Sequence, residues 1–475
     1  MRKTKIVCTL GPATESEETI RELMKAGMDV ARFNFSHSVY EVDEKRFAIV
    51  RKLSDELGLH VATMLDTKGP EIRLREFKDS KVNVPDGAEF TLTTREVVGD
   101  ETICSVTFEK LPHDVSIGTR ILINDGLIEM KVTSIDDTDI KCEVIHGGEI
   151  KDHKGINVPG VKLSMPYISD ADMRDLQFGA KLGFDFIAAS FVRTGADVIY
   201  LRKFTQALGW NNVRIIAKIE NSEGVENIDE ILEAADGVMV ARGDMGVEIP
   251  FEQIPAIQKE LIHKAYNAGK QVITATQMLE SMITNSRPTR AEITDVANAI
   301  YDGTSAIMLS GETAAGHYPV EAVKTMALIA ETTENNINYR KRFEIRSGGG
   351  EYSCTEITEA ISHATVTTSH DLNAKAIITV TKSGTTARRL SKFRSQCPII
   401  ALTTSEVTAR QMSMSWGLVP GIIEEQLDSD TLIQLALDKA VDMGLLSKGD
   451  LVVVTAGVPL GVSGNTNMMR VEVVK

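Results

Sequence analysis

The chain has 475 residues, 43% of them hydrophobic and 25% charged, a balance typical of a globular protein with two to four domains. Its formal net charge of -15 speaks against nucleic-acid or membrane partners, which need clustered Lys and Arg. Five scattered cysteines without a C-x-x-C pair speak against a disulfide framework or a zinc site. With no run of 18 apolar residues and no signal-peptide pattern, the sequence predicts a cytoplasmic protein.

Short β-branched apolar runs alternate with longer amphipathic stretches, the pattern of parallel βα units. Between the first two runs, residues 16–27 are typical of a helix, because Ser16 can cap its start and Gly27 suits its end. Eight strands joined by helices predict a closed (β/α)₈ TIM barrel, whose catalytic groups follow the C-terminal strand ends. The eight runs span 5–10, 29–35, 60–66, 184–191, 213–220, 237–244, 271–277 and 305–311.

The strand ends of this barrel are rich in polar side chains. They are Thr9, Asn34, Ser36, Asp66, Thr67, Ser190, Lys218, Glu220, Asp244, Thr276, Ser310 and Glu312. Because the C-terminal ends of barrel strands share one face, this face is the predicted site.

The third βα unit is interrupted by short alternating segments with turn signals, which predict an all-β insert over residues 70–169. An insert after a barrel strand lies on the active-site face and is therefore expected to act as a lid. The catalytic barrel then comprises residues 1–69 and 170–345.

A glycine-rich segment at 347–353 predicts a linker into a third unit. Apolar strands alternate with helices beyond it, so residues 346–475 are expected to form a mostly parallel α/β domain. Its first strand precedes the segment TKSGTTAR, whose glycine turn, hydroxyls and lysine are typical of a phosphate nest, although a hydroxyl-rich helix cap has the same composition. The candidate effector-binding residues are Thr381, Lys382, Ser383, Gly384, Thr385 and Thr386.

Glu220 and Asp244 follow adjacent barrel strands, where two bare carboxylates repel unless a cation lies between them. A site with only two protein carboxylates suits Mg²⁺ or Mn²⁺ better than zinc. Lys218 points to the same face as Glu220 and is suited to charge on a phosphoryl group or an enolate. The structural alternatives are salt-bridged acids at the strand ends and an ion pair between Lys218 and Glu220.

The glycines of ARGDMG, residues 241–246, leave backbone N–H groups beside Asp244 that can bind a carboxylate or a phosphate, although a plain tight turn would use the same glycines. A second group combines the oxygens of Asn34, Ser36, Asp66 and Thr67, which resemble the shell of a monovalent cation. The absence of G-x-x-x-x-G-K-[ST] argues against a nucleotide on a P-loop.

Arg32 and Arg73, which flank this oxygen group in the sequence, could clamp a phosphate, and Arg32 is equally compatible with a structural ion pair. His37 is the histidine next to the group, although a lone histidine is more often structural.

Seven motifs in order, NFSH, LDTKGPEIR, KIEN, MVARGDMGVEIP, TATQMLESMI, RPTRAE and LSGETAAGHYP, make the chain similar to the pyruvate kinases over essentially its whole length. The resemblance implies phosphoryl transfer from phosphoenolpyruvate to ADP, giving ATP and an enolate that is protonated to pyruvate. It also implies a need for Mg²⁺ (or Mn²⁺) and K⁺, a homotetramer and allosteric control through the C-terminal domain.

The resemblance also implies roles for individual residues. The residues implied in catalysis are Lys218, Arg32, Arg73, Thr276, near the enolate carbon, and Ser310, in the proton-delivery network. Those implied in substrate binding are Lys218, Arg32, Thr276 and, through their backbone N–H groups, Gly243 and Asp244. The implied Mg²⁺ ligands are Glu220 and Asp244, and the implied K⁺ ligands are Asn34, Ser36, Asp66 and Thr67, with Glu71 in the motif associated with K⁺ dependence. The implied nucleotide contacts are Arg32, Asn34, His37, Arg73 and Lys154.

The identity of the effector stays open among fructose 1,6-bisphosphate, ribose 5-phosphate, glucose 6-phosphate and AMP. Two other functions are compatible with parts of the sequence. One is a Mg²⁺-dependent barrel lyase or aldolase that acts on a pyruvate enolate. The other is a catalytically silent sensor of sugar phosphates.

Overall fold

The computed structural model describes residues 1–346, 354, 356–426, 428–460 and 466–475. Its first elements alternate strand and helix. Helix α1 begins as predicted, because the Ser16 hydroxyl accepts a hydrogen bond from the Thr19 N–H, and it ends at Gly27, whose φ of 121° suits glycine. The elements are β1 (Lys5–Leu10), α1 (Glu17–Ala26), β2 (Val30–Asn34), α2 (Tyr40–Glu56) and β3 (Ala62–Asp66), with 3₁₀ turns at Pro12–Thr14 and Phe35–His37.

The next segment forms the predicted β-rich insert, with one short helix. Its seven-stranded sheet has the order β4-β12-β8-β9-β10-β6-β7, and β11 pairs with β5. It has a hydrophobic core of its own, around Phe90, Ile121 and Met130. The elements are β4 (Ile72–Arg73), β5 (Lys81–Val84), β6 (Glu89–Thr93), β7 (Ile103–Ser105), α3 (Leu111–Asp114), β8 (Arg120–Ile123), β9 (Ile128–Ile135), β10 (Asp139–His146), β11 (Gly148–Lys151) and β12 (Gly155–Asn157).

The chain then completes the barrel. Eight parallel strands close in the order β1-β17-β16-β15-β14-β13-β3-β2, which confirms the TIM-barrel prediction, and each predicted run contains one of them. The elements are α4 (Asp170–Leu182), β13 (Phe186–Ala189), α5 (Gly195–Ala207), β14 (Arg214–Ile219), α6 (Ser222–Glu226), α7 (Ile228–Ala234), β15 (Gly237–Ala241), α8 (Arg242–Glu248), α9 (Ile254–Asn267), β16 (Gln271–Ala275), α10 (Arg290–Asp302), β17 (Ala306–Leu309), α11 (Gly311–Ala314), α12 (Pro319–Asn335) and α13 (Tyr339–Arg346), with 3₁₀ turns at Phe251–Gln253 and Glu280–Ile283.

The C-terminal region forms a five-stranded sheet in the order β20-β19-β18-β21-β22, parallel except for the pair β21 and β22. The mostly parallel α/β prediction is therefore confirmed. The elements are α14 (Ile357–Asp371), β18 (Ala376–Val380), α15 (Thr385–Lys392), β19 (Ile399–Thr403), α16 (Glu406–Met412), β20 (Leu418–Ile422), α17 (Ser429–Asp442), β21 (Leu451–Ala456) and β22 (Met468–Val473). The predicted linker at 347–353 lies outside the described residues, and the domain limits at 69/70, 169/170 and 345/346 stay predictions.

The barrel interior is a packed core, and one of its members comes from the C-terminal region. Met414, fully buried after α16, packs with interior residues such as Met64, Ile216 and Met308. Nearby, the Gly417 N–H donates to the Lys3 carbonyl at 2.9 Å, just before β1 begins. The C-terminal region therefore closes the N-terminal end of the barrel, opposite the predicted site. None of the helices in the described part of the chain is long and apolar enough to cross a membrane.

Candidate active site

Lys218 lies at the C-terminal end of β14 and is buried in the barrel mouth. Its ammonium donates to Ser190 Oγ at 2.7 Å and to Asp66 Oδ1 at 3.1 Å, and lies 2.8 Å from Glu220 Oε1. Burial by itself lowers the pKa of Lys218, but the carboxylates of Asp66, Glu220 and Asp244 outweigh burial and raise the pKa. The ion pair with Glu220, foreseen as a structural alternative, is thus present and keeps the lysine charged at the predicted site.

Glu220 is fully buried one residue beyond β14. The Phe191 N–H donates to its Oε2 at 2.6 Å, whereas Oε1 accepts no well-directed hydrogen bond from the described residues. Burial raises the pKa of Glu220, Lys218 offsets only part of this effect, and Asp244 adds to the rise. The positive charge of Lys218 therefore offsets only part of the burial of this carboxylate, and a divalent cation shared with Asp244 would add to that charge.

The predicted metal ligands are two carboxylates, those of Glu220 and Asp244. No group of three or more His, Cys, Asp or Glu side chains that could hold a metal ion occurs in the part of the chain that the structure describes. A pair of carboxylates with room for water and substrate oxygens is the kind of site that Mg²⁺ uses, and it does not suit zinc.

Asp244 lies in the first turn of α8, beyond the end of its strand. Val238–Ala241 of β15 are buried, but the Asp244 side chain is exposed, because α8 begins at Arg242 and turns Asp244 outward. The start of α8 is anchored by Arg242, whose guanidinium lies 2.7 Å from a carboxylate oxygen of Asp295. Asp244 is an exposed carboxylate near the buried Glu220. A cation held by both carboxylates would therefore be accessible to a substrate.

Thr276 follows β16 and adopts a φ of 68°, which is uncommon for a β-branched residue. Its hydroxyl lies 2.6 Å from the Ala275 carbonyl and accepts a hydrogen bond from the Gly243 N–H at 2.8 Å. The N–H expected to hold a substrate carboxylate thus has an internal partner. Such strained backbone often occurs at functional sites, because the surrounding structure must hold it in place.

The buried Arg32 connects β2 to both neighbouring strands. Its Nε donates to Asp66 Oδ2 at 2.6 Å, and its Nη1 donates to Thr9 Oγ1 at 2.8 Å. Burial by itself raises the pKa of Asp66, but Arg32 and Lys218 outweigh burial and lower the pKa, which keeps this carboxylate ionised. The ion pair foreseen as the structural alternative for Arg32 is therefore present.

The four predicted K⁺ ligands lie on neighbouring segments at the ends of β2 and β3. Asn34 is in register with Asp66, and the Asn34 side-chain oxygen accepts the Ser36 N–H at 3.2 Å. Thr67 follows Asp66 directly, and its hydroxyl accepts the Ser190 N–H at 3.1 Å. The structure therefore places these residues on neighbouring segments, with Asp66 also bound to two cationic side chains.

Arg73 lies on β4 of the insert, apart from Arg32. Its Nε donates to Glu71 Oε2 at 2.8 Å, and its Nη1 donates to the His153 carbonyl at 3.0 Å. Together with His37, Lys154 and Asp244 it lines a cleft of about 510 Å³ between the insert and the barrel. The predicted nucleotide contacts His37, Arg73 and Lys154 thus line one cavity, whereas Lys218 is buried in the barrel mouth.

Ser310 lies between β17 and α11. Its backbone N–H donates to Glu312 Oε2 at 2.7 Å, while its hydroxyl oxygen is buried and makes no hydrogen bond within the described residues. A buried hydroxyl without a partner is uncommon in folded proteins and often marks a functional position.

The sequence assigned no role to Ser190 and Thr9, which the structure places against the two central cations. Ser190 Oγ lies 2.7 Å from Lys218 Nζ and 2.7 Å from the Thr67 carbonyl, so it orients the lysine. Thr9 holds Arg32 in the same way. The signal that could have identified both residues is their position at strand ends.

The candidate effector loop joins β18 to α15. The Gly384 N–H donates to Thr381 Oγ1 at 3.1 Å, and Gly384 opens α15 at a φ of 76°. The hydroxyls of Ser383 and Thr385 form a hydrogen bond of 3.0 Å, and the hydroxyl of Thr386 forms one with that of Thr466. Hydroxyls therefore cluster at the start of α15, an arrangement that both a phosphate nest and a hydroxyl-rich helix cap would have.

The amine of Lys382, in the same loop, lies 3.6 Å from Glu425 Oε1. The loop also contacts the barrel, because Arg214 Nη2 donates to the Ser383 carbonyl at 3.4 Å.

Two family models match the chain. Residues 1–323 match the model described as pyruvate kinase, barrel domain, and residues 359–472 match the one described as pyruvate kinase, alpha/beta domain. A curated protein from Clostridium acetobutylicum named pyruvate kinase is 50% identical over 476 residues, covering 100% of both chains. One from Staphylococcus saprophyticus, also named pyruvate kinase, is 52% identical over 476 residues, covering 100% of this chain and 81% of that protein.

The crystal structure of a pyruvate kinase from Cryptosporidium parvum is similar over the whole fold. The TM-score is 0.94 at 39% identity, covering 100% of this chain and 96% of that chain.

Proposed function

Because the chain belongs to the pyruvate kinase family, a family of phosphotransferases, we propose that it transfers the phosphoryl group of phosphoenolpyruvate to ADP and releases pyruvate and ATP. The observation that carries this proposal is the buried cluster of Lys218 and Glu220 beneath the exposed Asp244. A charged lysine beside two carboxylates that can hold a cation is suited to bind an anionic phosphoryl group together with that cation.

Glu220 and Asp244 would hold Mg²⁺ (or Mn²⁺), and Asn34, Ser36, Asp66 and Thr67 would hold K⁺. When bound, these cations supply positive charge beside the transferring phosphoryl group and the enolate oxygen. Lys218, held by Ser190 and Asp66, points its ammonium at the same place and stabilises the negative charge that develops there. Arg32, fixed by Asp66 and Thr9, binds a phosphoryl oxygen.

The enolate left after transfer is protonated on carbon. Thr276 lies beside the Gly243 N–H, and the unpaired Ser310 hydroxyl can join a proton-delivery chain through water. A substrate carboxylate would bind the N–H groups of Gly243 and Asp244 by displacing the Thr276 hydroxyl from Gly243. Thr276 would then be released toward the enolate carbon.

ADP would bind in the cleft beside His37, Arg73 and Lys154, with the insert closing over it. The effector would be a sugar phosphate or AMP bound by the loop of residues 381–386. Support for regulation comes from Arg214, which contacts the Ser383 carbonyl and begins the strand that carries Lys218. The enzyme would act in the cytoplasm as a homotetramer, as members of this family do.

A direct test follows the products. The purified chain, given phosphoenolpyruvate, ADP, Mg²⁺ and K⁺, is expected to form ATP and pyruvate in equal amounts. Pyruvate or another cleavage product without ATP would favour a Mg²⁺-dependent lyase or aldolase. No turnover, together with binding of a sugar phosphate, would favour a silent sensor.

A further inference from the structure

The insert contacts the barrel helix α8 across the cleft. Asn157 Nδ2, at the end of β12, donates to Glu248 Oε1, at the end of α8, at 3.0 Å. Next to this bond the turn at Gly126 lies against Val247, so that a side-chain carbon added to Gly126 would lie 3.7 Å from Val247 Cγ1. The same short helix carries Asp244 in its first turn.

Other polar contacts between insert and barrel involve residues close to where the chain leaves the insert. Lys162 Nζ lies 3.6 Å from Glu223 Oε1, and Arg193 Nη1 donates to the Leu163 and Met165 carbonyls at 3.1 and 3.2 Å. Contacts this close to a hinge change little when the insert turns about it. The bond between Asn157 and Glu248 spans the cleft, so it exists only when the insert lies against α8.

The bond fixes the part of the insert that faces the nucleotide cleft. Lys154 lies three residues before Asn157, and both line the cleft together with Asp244 and Glu248. The start of α8 is held independently, by Arg242 against Asp295. Loss of the bond should therefore release the insert while α8 keeps its place.

We propose that Asn157 and Glu248 are positioning residues that latch the insert over the cleft and thereby set the affinity for the nucleotide. The role in nucleotide binding rests on the proposed function, whereas the latch itself rests on the contact. Glu248 is half-buried, and an amide that donates to a carboxylate forms one of the stronger kinds of hydrogen bond. Removing the donor leaves that carboxylate without its partner.

Kinetics on the full chain test the latch through a swap of donor and acceptor. Asn157→Asp removes the donor and places a second carboxylate next to Glu248. Because the two carboxylates repel each other, KM for Mg-ADP is expected to rise about tenfold. KM for phosphoenolpyruvate should change by less than about twofold, because α8 stays anchored. Glu248→Gln keeps an acceptor oxygen but loses the charge that strengthens the hydrogen bond, so KM for Mg-ADP should rise less than in Asn157→Asp. The double variant N157D/E248Q restores a hydrogen bond with reversed polarity and should recover most of the ADP affinity.

The matched control is Glu129→Gln, which breaks an ion pair with Arg120 inside the insert, where the two side chains meet at 2.8 Å. It is expected to leave both KM values unchanged. Failure of the double variant to recover the affinity lost in N157D would overturn the proposal, and so would an unchanged KM for ADP in N157D.

A distance measurement separates this proposal from the proposed function. Nitroxide labels on cysteines at the exposed positions Ile117 and Phe251, 72% and 81% exposed, report the distance between insert and barrel, with Cys354 and Cys397 replaced by serine. N157D should increase the mean distance between the labels and broaden its distribution. N157D/E248Q should bring both back toward the values of the parent protein. If the parent protein forms no ATP but the distances respond in this way, the latch stands and the proposed function fails. A distance that is the same in the parent protein and in both variants would overturn the latch.

Discussion

Lys218 Nζ lies 2.8 Å from Glu220 Oε1 in the barrel mouth, and both side chains are buried. If this ammonium stabilises the transferring phosphoryl group, Lys218→Met should lower kcat about a thousandfold, as the loss of one stabilising donor does in other enzymes. ATP formation from phosphoenolpyruvate and ADP measures the effect. Breaking a buried ion pair should also lower Tm, so the far-ultraviolet circular dichroism must be compared at a temperature at which both proteins are folded.

The control for this variant is Lys131→Met, at an exposed position of the insert. Its kcat and Tm are expected to match those of the parent protein. Turnover of Lys218→Met at the parent rate would show that Lys218 only holds Glu220 and Asp66 in place.

Dependence on K⁺ follows from the oxygen group at the ends of β2 and β3. Replacing K⁺ by tetramethylammonium should lower kcat at least about tenfold, because the organic cation is too large for the site of a monovalent metal ion. Ser36→Ala should raise the K⁺ concentration needed for half-maximal activity several-fold, whereas Ser134→Ala, in the insert, should not. Equal rates in both salts would mean that Asn34, Asp66 and Thr67 bind no K⁺.

The effector prediction concerns the hydroxyls of Ser383 and Thr385, which lie 3.0 Å apart at the start of α15. Fructose 1,6-bisphosphate, ribose 5-phosphate, glucose 6-phosphate and AMP are each added to the phosphoenolpyruvate saturation curve. At least one should lower the concentration for half saturation several-fold in the parent protein, and the double variant S383A/T385A should lose this response. Exposed Ser447 and half-buried Ser429, changed together to alanine, are the control pair. A response that survives in S383A/T385A would place the effector elsewhere.

Arg214 should carry the effector response into the barrel. Arg214→Lys keeps the positive charge near Asp236, but a lysine cannot reproduce the forked contacts to Asp236 and the Ser383 carbonyl. The response to the activating compound should therefore shrink by at least half, while kcat at saturating phosphoenolpyruvate stays near the parent value. Exposed Arg174→Lys, on α4, controls for the change of residue type. An undiminished response in Arg214→Lys would show that Arg214 does not transmit the effector response to the barrel.

Acid should destabilise the protein partly through Asp236. Burial by itself raises the pKa of Asp236, but Arg214 and Arg202 outweigh burial and lower the pKa. With a folded pKa below the unfolded one, the stabilisation is complete above about pH 4 and is lost as pH falls through the folded value. At pH 7, Asp236→Asn should cost about 3 kcal/mol, seen as a lower Tm. This difference in Tm should narrow as pH falls from about 5 to about 3, and a constant difference would contradict the pKa shift.

Asp137→Asn, at an exposed position, is the control for this series. Its Tm should follow that of the parent protein at every pH, because exposed charges of the insert contribute little to stability.

Much of the fold follows from short-range patterns. Each barrel strand is an apolar run covered by helices outside and by the interior core, so these runs stand out in the sequence. Helix α1 begins and ends where Ser16 and Gly27 indicated, because a cap needs only residues a few positions apart. The insert was recognisable because its strands alternate apolar and polar residues, unlike those of the barrel.

The site was only partly predictable. Residues at strand ends can be listed once a barrel is inferred, but which side chains meet depends on strand order and register. Ser190 and Lys218 come together because β13 lies beside β14, and Arg32 meets Asp66 because β2 lies beside β3. Asp244 was expected at a strand end, whereas it lies in the first turn of α8 and is exposed.

By itself, the sequence determined the elements, their order and the polar groups at the strand ends, since helix, strand and turn preferences depend on neighbouring residues. Only the tertiary structure decided the partners: Met414 inside the barrel, Arg214 against the Ser383 carbonyl, and Asn157 against Glu248. The last two pairs join residues 169 and 91 positions apart. No periodicity relates such distant residues, because their contact depends on how whole layers pack and how much each side chain is buried.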